Sequence, residues 1–547
     1  GGLVALLVLP VIAGLAHVVA ASGLPRLDAL RRLAEAPGVI EAALGALATG
    51  TAATLLSLLL ALTLLAEQED KIAALVRRTL ALQLAVPHLA LAGGLAFLLA
   101  PSGWLVRLIS PWATGWSAPP SAMAGEWDAY LLLTLALVLK ETPFLLMAGL
   151  GRLPQLDAPR VLARAAGLGY GRREAFWKLL APRLAGRLRL PLLAVMAFGV
   201  GNVELALVLG PSTPPTLPVM ALQWHQDADL AWRAPAAAAA LALLAMLLAT
   251  VGAGALAGSL LRRRADRWLT RGPAGPVLIR TDRRWKLRAS AGWALAGRLG
   301  IRVHAGLWCG SMAILLLWSM AGRWRFPDAL PETLRWTAWT SHAPLLLDLS
   351  WTTLVIGVIT TLLALVLTTL LLELRRRHAA RSPLAVVYLP LLLPQIAFYL
   401  GLQSLLVRAG LDGTLTATVL AHLLLVLPYV ALILAEAFEA LDPRLGRIAE
   451  SLGKPPWVVL WRVRLPALRA ALALAAASGF AVSLALYLPT LIAASGRHAT
   501  LALELVPLVQ GGDRRLAAAA ALLLALFPLL AWGLAQRIGR ARVASRR

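Results

Sequence analysis

The 547-residue chain is 59% hydrophobic and only 14% charged, with a mean hydropathy of +0.76, too little charge to cover a soluble surface of this size. Its apolar residues fall in solid blocks of about 20, the length that crosses ~30 Å of hydrocarbon as helix, whereas an outer-membrane barrel would alternate polar and apolar residues over strands of ~10. The formal net charge of +25 lies in short runs between the blocks, not in one patch or helix stripe, which excludes a nucleic-acid partner and reads as the Lys/Arg excess of cytoplasmic loops.

In chain order, twelve spans of an all-α polytopic membrane protein are expected over residues 2–20, 46–65, 76–100, 129–150, 187–210, 236–261, 301–321, 350–373, 383–407, 414–436, 468–493 and 515–536. A helix suits each block because it satisfies its own backbone groups in lipid. The chain begins at Gly1, and Ala20–Gly23 offers small residues of the kind a signal-peptide cleavage site shows. Residues 1–20 are nonetheless read as a retained span, because the topology then closes. "EQED" (67–70), after the second span, reads as a solvated turn.

The fourth span carries Lys140 and Glu141 beside Pro143, which should kink it. Asn202 and Glu204 sit toward the outer part of the fifth. Ionisable groups within a span are functional candidates by default, so these four are expected to line a translocation path. Adjacent residues point apart on a helix, so Lys140 and Glu141 are not expected to pair directly. Gln395 and Gln403, in the ninth span, read as helix–helix hydrogen bonders.

Between the sixth and seventh spans lies a basic linker, Arg262 to about Leu299, with "RRRADRW" and "RTDRRWKLR" and no apolar run long enough to cross. "ELRRRHAAR" (373–381) and the tail "QRIGRARVASRR" are also basic. An inner N-terminus followed by twelve crossings places all of these, and both termini, in the cytoplasm. Trp104, Trp112, Trp116, Trp224, Trp232, Trp324, Trp336 and Trp339 then form an interfacial belt on the outer face. The one cysteine, Cys309, rules out internal disulfides and Cys-based metal sites. The eight histidines show no H-x-x-x-H-like spacing, so no metal or catalytic site is expected.

An internal repeat runs through this pattern. "PRVLARAAGLGYGRREAFWKLLAPRL" (159–184) aligns without a gap to "PRLGRIAESLGKPPWVVLWRVRLPAL" (443–468) at an offset of 284. Identities fall at Pro159/Pro443, Arg160/Arg444, Ala165/Ala449, Leu168/Leu452, Gly169/Gly453, Trp177/Trp461, Pro182/Pro466 and Leu184/Leu468, with Val161/Leu445 conservative. Thr216, Leu217 and Asp229 keep the same offset to Thr500, Leu501 and Asp513, and Val86-Pro87-His88 matches Leu393-Pro394-Gln395 at an offset of 307. Chance among Ala/Leu-rich helices explains matched leucines, but not matched Pro, Gly and Trp at one offset. An even number of spans separates the copies, so they share one orientation, with a pathway expected between them. The expected organisation is a first helix and outer loop (1–45), a first module (46–262) with its loop at 157–184, and the linker (263–300). A seventh helix and outer loop (301–349) and a second module (350–547) with its loop at 442–468 complete it.

Each repeated loop opens with Pro159 or Pro443 in a first helical turn, with Asp157 or Asp442 as cap. Residues 161, 165 and 168, and their counterparts 445, 449 and 452, recur at i, i+4, i+7 and give a short helix one apolar face. Gly169 and Gly453 permit a turn with positive φ. A second short helix carries Trp177 or Trp461 and is ended by Pro182 or Pro466. Two bent helices with an apolar-plus-basic face suit insertion into a groove on another protein.

These segments resemble the EAA loop of permease subunits in ABC importers, whose pattern is E-A-A-x-x-x-G, nine residues, then I-x-L-P. Ala165 to Gly169 with "KLLAP", and Ala449 to Gly453 with "RVRLP", reproduce the spacing twice. Ala163 and Arg447 stand where the family has its glutamate, and "LAP" replaces "LP" in the first copy. Over nearly its whole length the chain resembles fused double permeases of the iron(III)/thiamine type. That resemblance implies a type I importer permease fold, a cytosolic ABC ATPase dimer docking one subunit on each loop, and an external solute-binding protein. It also implies residence in the bacterial inner membrane. ATP and Mg would be bound by the partner: this chain has no G-x-x-x-x-G-K-[ST] loop, and "LGKPPW" (452–457) lacks the spacing and the Ser/Thr. The rival reading is a twelve-span secondary transporter of the major facilitator type. Its G-x-x-x-D-R-x-G-R-R-like turn is not matched by "AEQEDKIAALVRR" between spans two and three. Thiamine, ferric iron, polyamines and oxyanions all remain open as substrates.

Overall fold

A computed structural model describes residues 2–23, 28–67, 70–120, 126–271, 283–378 and 384–544. These are helical throughout except for connecting turns and one isolated bridge, Ala321 to Leu334. The first half contains α1 (Gly2–Ala21), α2 (Val39–Ala66), α3 (Leu80–Ala85), α4 (His88–Leu99) and α5 (Glu126–Arg152). It continues with α6 (Ala158–Gly167), α7 (Arg189–Val200), α8 (Glu204–Leu209) and α9 (Arg233–Arg271). The second half contains α10 (Arg283–Ser319), α11 (Ala343–His378), α12 (Leu389–Leu392), α13 (Ile396–Arg408) and α14 (Leu415–Glu439). It ends with α15 (Pro443–Ser451), α16 (Arg469–Ala485), α17 (Leu488–Ala494) and α18 (Arg514–Ala544).

Among the described residues, eight helices are long and apolar enough to cross a membrane, or ten if each of two bent pairs counts as one span. The first and fifth expected spans correspond to shorter apolar helices, Val8–Ala21 and Arg189–Val200. Four expected spans are not continuous. The third breaks at Val86-Pro87 and the ninth at Leu393-Pro394, where the chain bends by 107°. In both, the residue before proline is forced out of the helical region: Val86 has ψ 122° and Leu393 ψ 144°. The fifth breaks at Gly201–Val203 and the eleventh at Leu486-Tyr487, where Pro489 has no N–H to continue the ladder. The fourth, by contrast, stays helical through Pro143.

Two groups of three helices share a packing pattern. Helix α2 packs on α5 and α7, and α11 packs on α14 and α16. The leading helices are exchanged: α1 lies on α13 of the second half, and α10 lies on α4 of the first. Small residues make these crossings close, as in membrane helix pairs generally. A Cβ on Gly401 would sit 1.9 Å from the Gly14 carbonyl oxygen, and one on Gly94 would sit 2.4 Å from that of Ser311.

Several local expectations change. The linker is helical at both ends, since α9 runs on to Arg271 and α10 starts at Arg283; residues 272–282 lie outside the described residues, as do 379–383 and the last three of the tail. The segment before α2 holds a short helix, Asp28–Glu35. Trp324 is buried and does not stand in a belt. Its indole donates to the Asp328 carbonyl at 2.8 Å, and the Arg107 guanidinium lies over its ring at 5.0 Å. "EQED" is not simply solvated: Glu67 pairs with Arg173 at 2.9 Å, and Asp70 caps the next helix through the Ile72 and Ala73 N–H groups. Gln68 and Glu69 lie outside the described residues.

Candidate functional site

The four helix breaks converge on one cavity of about 280 Å³ between the two halves. Irregular backbone inside a membrane is tolerated where it lines a cavity. Lys140, Glu141, Asn202 and Glu204 all line it, joined by His88, Gln395, Ser478, Tyr429 and Trp532. Most of the wall is apolar, with Phe144 and Phe198 from the first half and Leu391, Leu432 and Val482 from the second.

Each break exposes backbone groups, and polar side chains answer them. The Lys140 ammonium donates to the carbonyls of Val86 at 2.6 Å, Leu84 at 3.2 Å and Gln83 at 3.5 Å, the acceptors left open at the end of α3. Asn202 Oδ1 accepts from the Leu205 N–H at 2.8 Å, at the start of α8. Glu204, 2% exposed, reaches the other half. Its carboxylate meets His88 Nε2 at 2.8 Å and the N–H groups of Tyr487 and Leu488 at 3.4 and 3.5 Å, at the start of α17. Phe198 packs edge-on against the His88 ring, 5.6 Å between centroids. Glu141 has no hydrogen-bond or ion-pair partner among the described residues and, as expected, does not pair with Lys140.

Gln403 bonds His225 Nε2 at 2.7 Å, the helix–helix role expected of it. Gln395 lines the cavity instead. His88 entered the sequence reading only as a repeat marker, and Tyr429, Ser478 and Trp532 not at all; the one signal was the proline before His88 and before Gln395.

The repeated loops share an unusual backbone. Helices α6 and α15 end in the same hydrogen-bond pattern: Gly169 N–H to Ala166 O and Tyr170 N–H to Ala165 O, then Gly453 N–H to Glu450 O and Lys454 N–H to Ala449 O. This cap needs a left-handed residue, supplied by Gly169 at φ 81° and Gly453 at φ 73°. Beyond it, residues 176–180 and 460–464 each form one π-helical turn, a rare feature. Pro182 and Pro466 account for it, because each lacks the N–H for an i−4 bond and its ring crowds that carbonyl. The prolines therefore widen the helix and do not end it; the chain breaks at Leu188 and Leu468. Asp442 caps α15 through the Arg444 N–H at 2.9 Å, but Asp157 has φ 48° and makes no such bond, turning its carboxylate to Arg160 at 3.2 Å.

Only part of the predicted apolar face is turned inward. Ala165 is buried and Val161, Ala449 and Trp177 are half-buried, whereas Leu168 is 78% and Leu452 72% exposed. Leu445, Trp461, Arg160, Arg444, Pro182 and Pro466 are exposed as well. An ion pair ties each loop to its half. Arg173 meets Glu67 at the end of α2, and Arg464 is bonded to Glu373 near the end of α11 and to Glu450 at 3.2 Å.

No protein-family model matches the chain. It is 31% identical over 458 residues to the inner membrane ABC transporter permease protein YnjC of Escherichia coli (strain K12), an alignment covering 84% of this chain and 80% of that protein. With its apolar helices and shared length, the chain belongs to the family of ABC transporter permeases.

Proposed function

We propose that the chain is the transport subunit of an ATP-driven importer in a bacterial inner membrane, built as two parallel six-span modules around the central cavity. It is not itself an enzyme: ATP and Mg belong to a cytosolic ATPase dimer, and an external binding protein delivers a small solute of the class carried by iron(III)/thiamine-type systems. Loops 157–184 and 442–468 each receive one ATPase subunit, with both chain termini on the same cytoplasmic side.

The observation that carries this reading is the pair of loops with one shared backbone, capped at Gly169 and Gly453 and widened ahead of Pro182 and Pro466. Apolar side chains such as Leu168, Leu452 and Trp461 stand exposed there beside arginines, the surface a groove on a partner would bury. Convergence of four broken helices on one cavity supports alternating access between the halves. Rocking of the modules would open the cavity alternately to each side, with Lys140, Glu141, Asn202 and Glu204 along the path.

Purification of the full chain from its native membrane in mild detergent tests the reading. A cytosolic protein with a G-x-x-x-x-G-K-[ST] loop should co-purify and hydrolyse ATP. Gradient-driven uptake by this chain alone in proteoliposomes would instead support the major facilitator alternative.

A further inference from the structure

Charged groups around the cavity are unequally occupied. The Lys140 ammonium is directed at three backbone carbonyls. His88 and Glu204 bond each other, and the N–H groups at the start of α17 already face the Glu204 carboxylate. Asn202 Oδ1 is held by the start of α8. The Lys140 ammonium and the N–H groups at the starts of α8 and α17 are thus engaged by the protein itself. Glu141 alone among these charged side chains lacks a hydrogen-bond or ion-pair partner among the described residues, and it lines the cavity.

Two carboxylates stand against one ammonium and the imidazole that already bonds Glu204, which disfavours an oxyanion. A bare multivalent metal ion needs several oxygen ligands at once, and among the described residues no three His, Cys, Asp or Glu side chains converge to hold one. The remaining walls offer aromatic rings, Phe144, Phe198, Tyr429 and Trp532, the surfaces that attract an organic cation.

We propose that the cavity accepts a small organic cation, its single positive group on the unpartnered carboxylate of Glu141 and its apolar body against Phe144, Phe198, Tyr429 and Trp532. The charged contact comes from the first half, while the second half supplies mainly apolar and aromatic wall. This inference rests on the reading of the cavity as the translocation path.

The test uses the full chain in lipid nanodiscs with Cys309→Ala and Ser478→Cys, so that one thiol reports on the cavity through its rate of maleimide labelling. Benzyltrimethylammonium should slow labelling at least fivefold. Benzenesulfonate, sulfate and Mg²⁺ should not, and Glu141→Gln should raise the protecting concentration at least tenfold. Equal protection by benzenesulfonate, or unchanged protection in Glu141→Gln, would overturn the proposal; the first comparison needs no change at Glu141 and so survives a folding defect in that variant. If the thiol labels but the cation gives no protection, the cation proposal fails and the path reading stands. If the thiol never labels, both fail.

Discussion

The carboxylate of Glu204 lies 3.5 Å from the backbone nitrogen of Leu488, the residue 284 positions further along the chain. That separation is the offset of the repeated loops, so Glu204 touches the residue occupying its own place in the second copy. On the two-module reading, such a contact lies near the axis relating the halves. It is also unsymmetrical, because a leucine cannot return the bond.

Replacing Glu204 by Ala leaves His88 Nε2 and two buried N–H groups without their acceptor. An unmade buried hydrogen bond costs about 1–3 kcal/mol. Glu204→Ala should therefore lower the apparent unfolding temperature in detergent, and Glu204→Gln, which keeps an acceptor oxygen, should lower it less. Equal melting of the two variants and the parent would show that the contact contributes nothing.

Lys140→Met keeps the length of the side chain and removes the donor from the carbonyls of Gln83, Leu84 and Val86. Loss of a charge-assisted interaction of this kind costs about 1.5–3 kcal/mol. Hydrogen exchange should accelerate around the break between α3 and α4, and the matching break between α12 and α13 should stay unchanged.

At Gly169 and Gly453 a Cβ would meet no atom within 4 Å, so a substitution there is opposed by backbone conformation alone. The left-handed region costs a residue with a Cβ roughly 1–2 kcal/mol, least for Asn. Gly→Asn should retain most ATPase co-purification at either position and Gly→Val should lose most of it. A Gly169→Val, Gly453→Val double variant that binds the ATPase normally would show that the turn is not needed for docking.

The two loop anchors should differ in worth. Arg464 and Glu373 are 5% and 4% exposed, Arg173 and Glu67 30% and 15%. Removing one partner of a buried pair costs about 3–5 kcal/mol, and the half-buried pair should cost less. Arg464→Met should impair ATPase coupling more than Arg173→Met, although Glu373 keeps Arg377 Nε at 2.9 Å in that variant. Equal effects of the two arginine variants would contradict the ranking.

The apolar blocks, the repeated loops and the four polar residues of the cavity were legible from the chain alone. Block length, proline and glycine spacing, and charge inside a span each carry a local physical signal. The helix breaks were only partly legible. Pro87, Pro394 and Pro489 stand at three of them, but the interruption at Gly201–Val203 has no proline and sits in an apolar run that reads as continuous helix. Partnerships between distant residues were not legible at all: nothing near His88 points to Glu204, or near Arg464 to Glu373, because those bonds depend on how the helices pack. The prolines of the loops were misread for a related reason. A proline ends a helix unless the backbone can widen, and the π turns at 176–180 and 460–464 let it do so.

The central claim is that the two loops are equivalent docking points for a separate ATPase. Leu168 and Leu452, matched at the repeat offset and both exposed, allow the direct measurement: Leu168→Cys and Leu452→Cys, each with Cys309→Ala, cross-linked in native membranes and identified by mass spectrometry. The account predicts that both positions capture the same ATP-binding protein carrying a G-x-x-x-x-G-K-[ST] loop. Capture at one position only, or of no such protein at either, would contradict it.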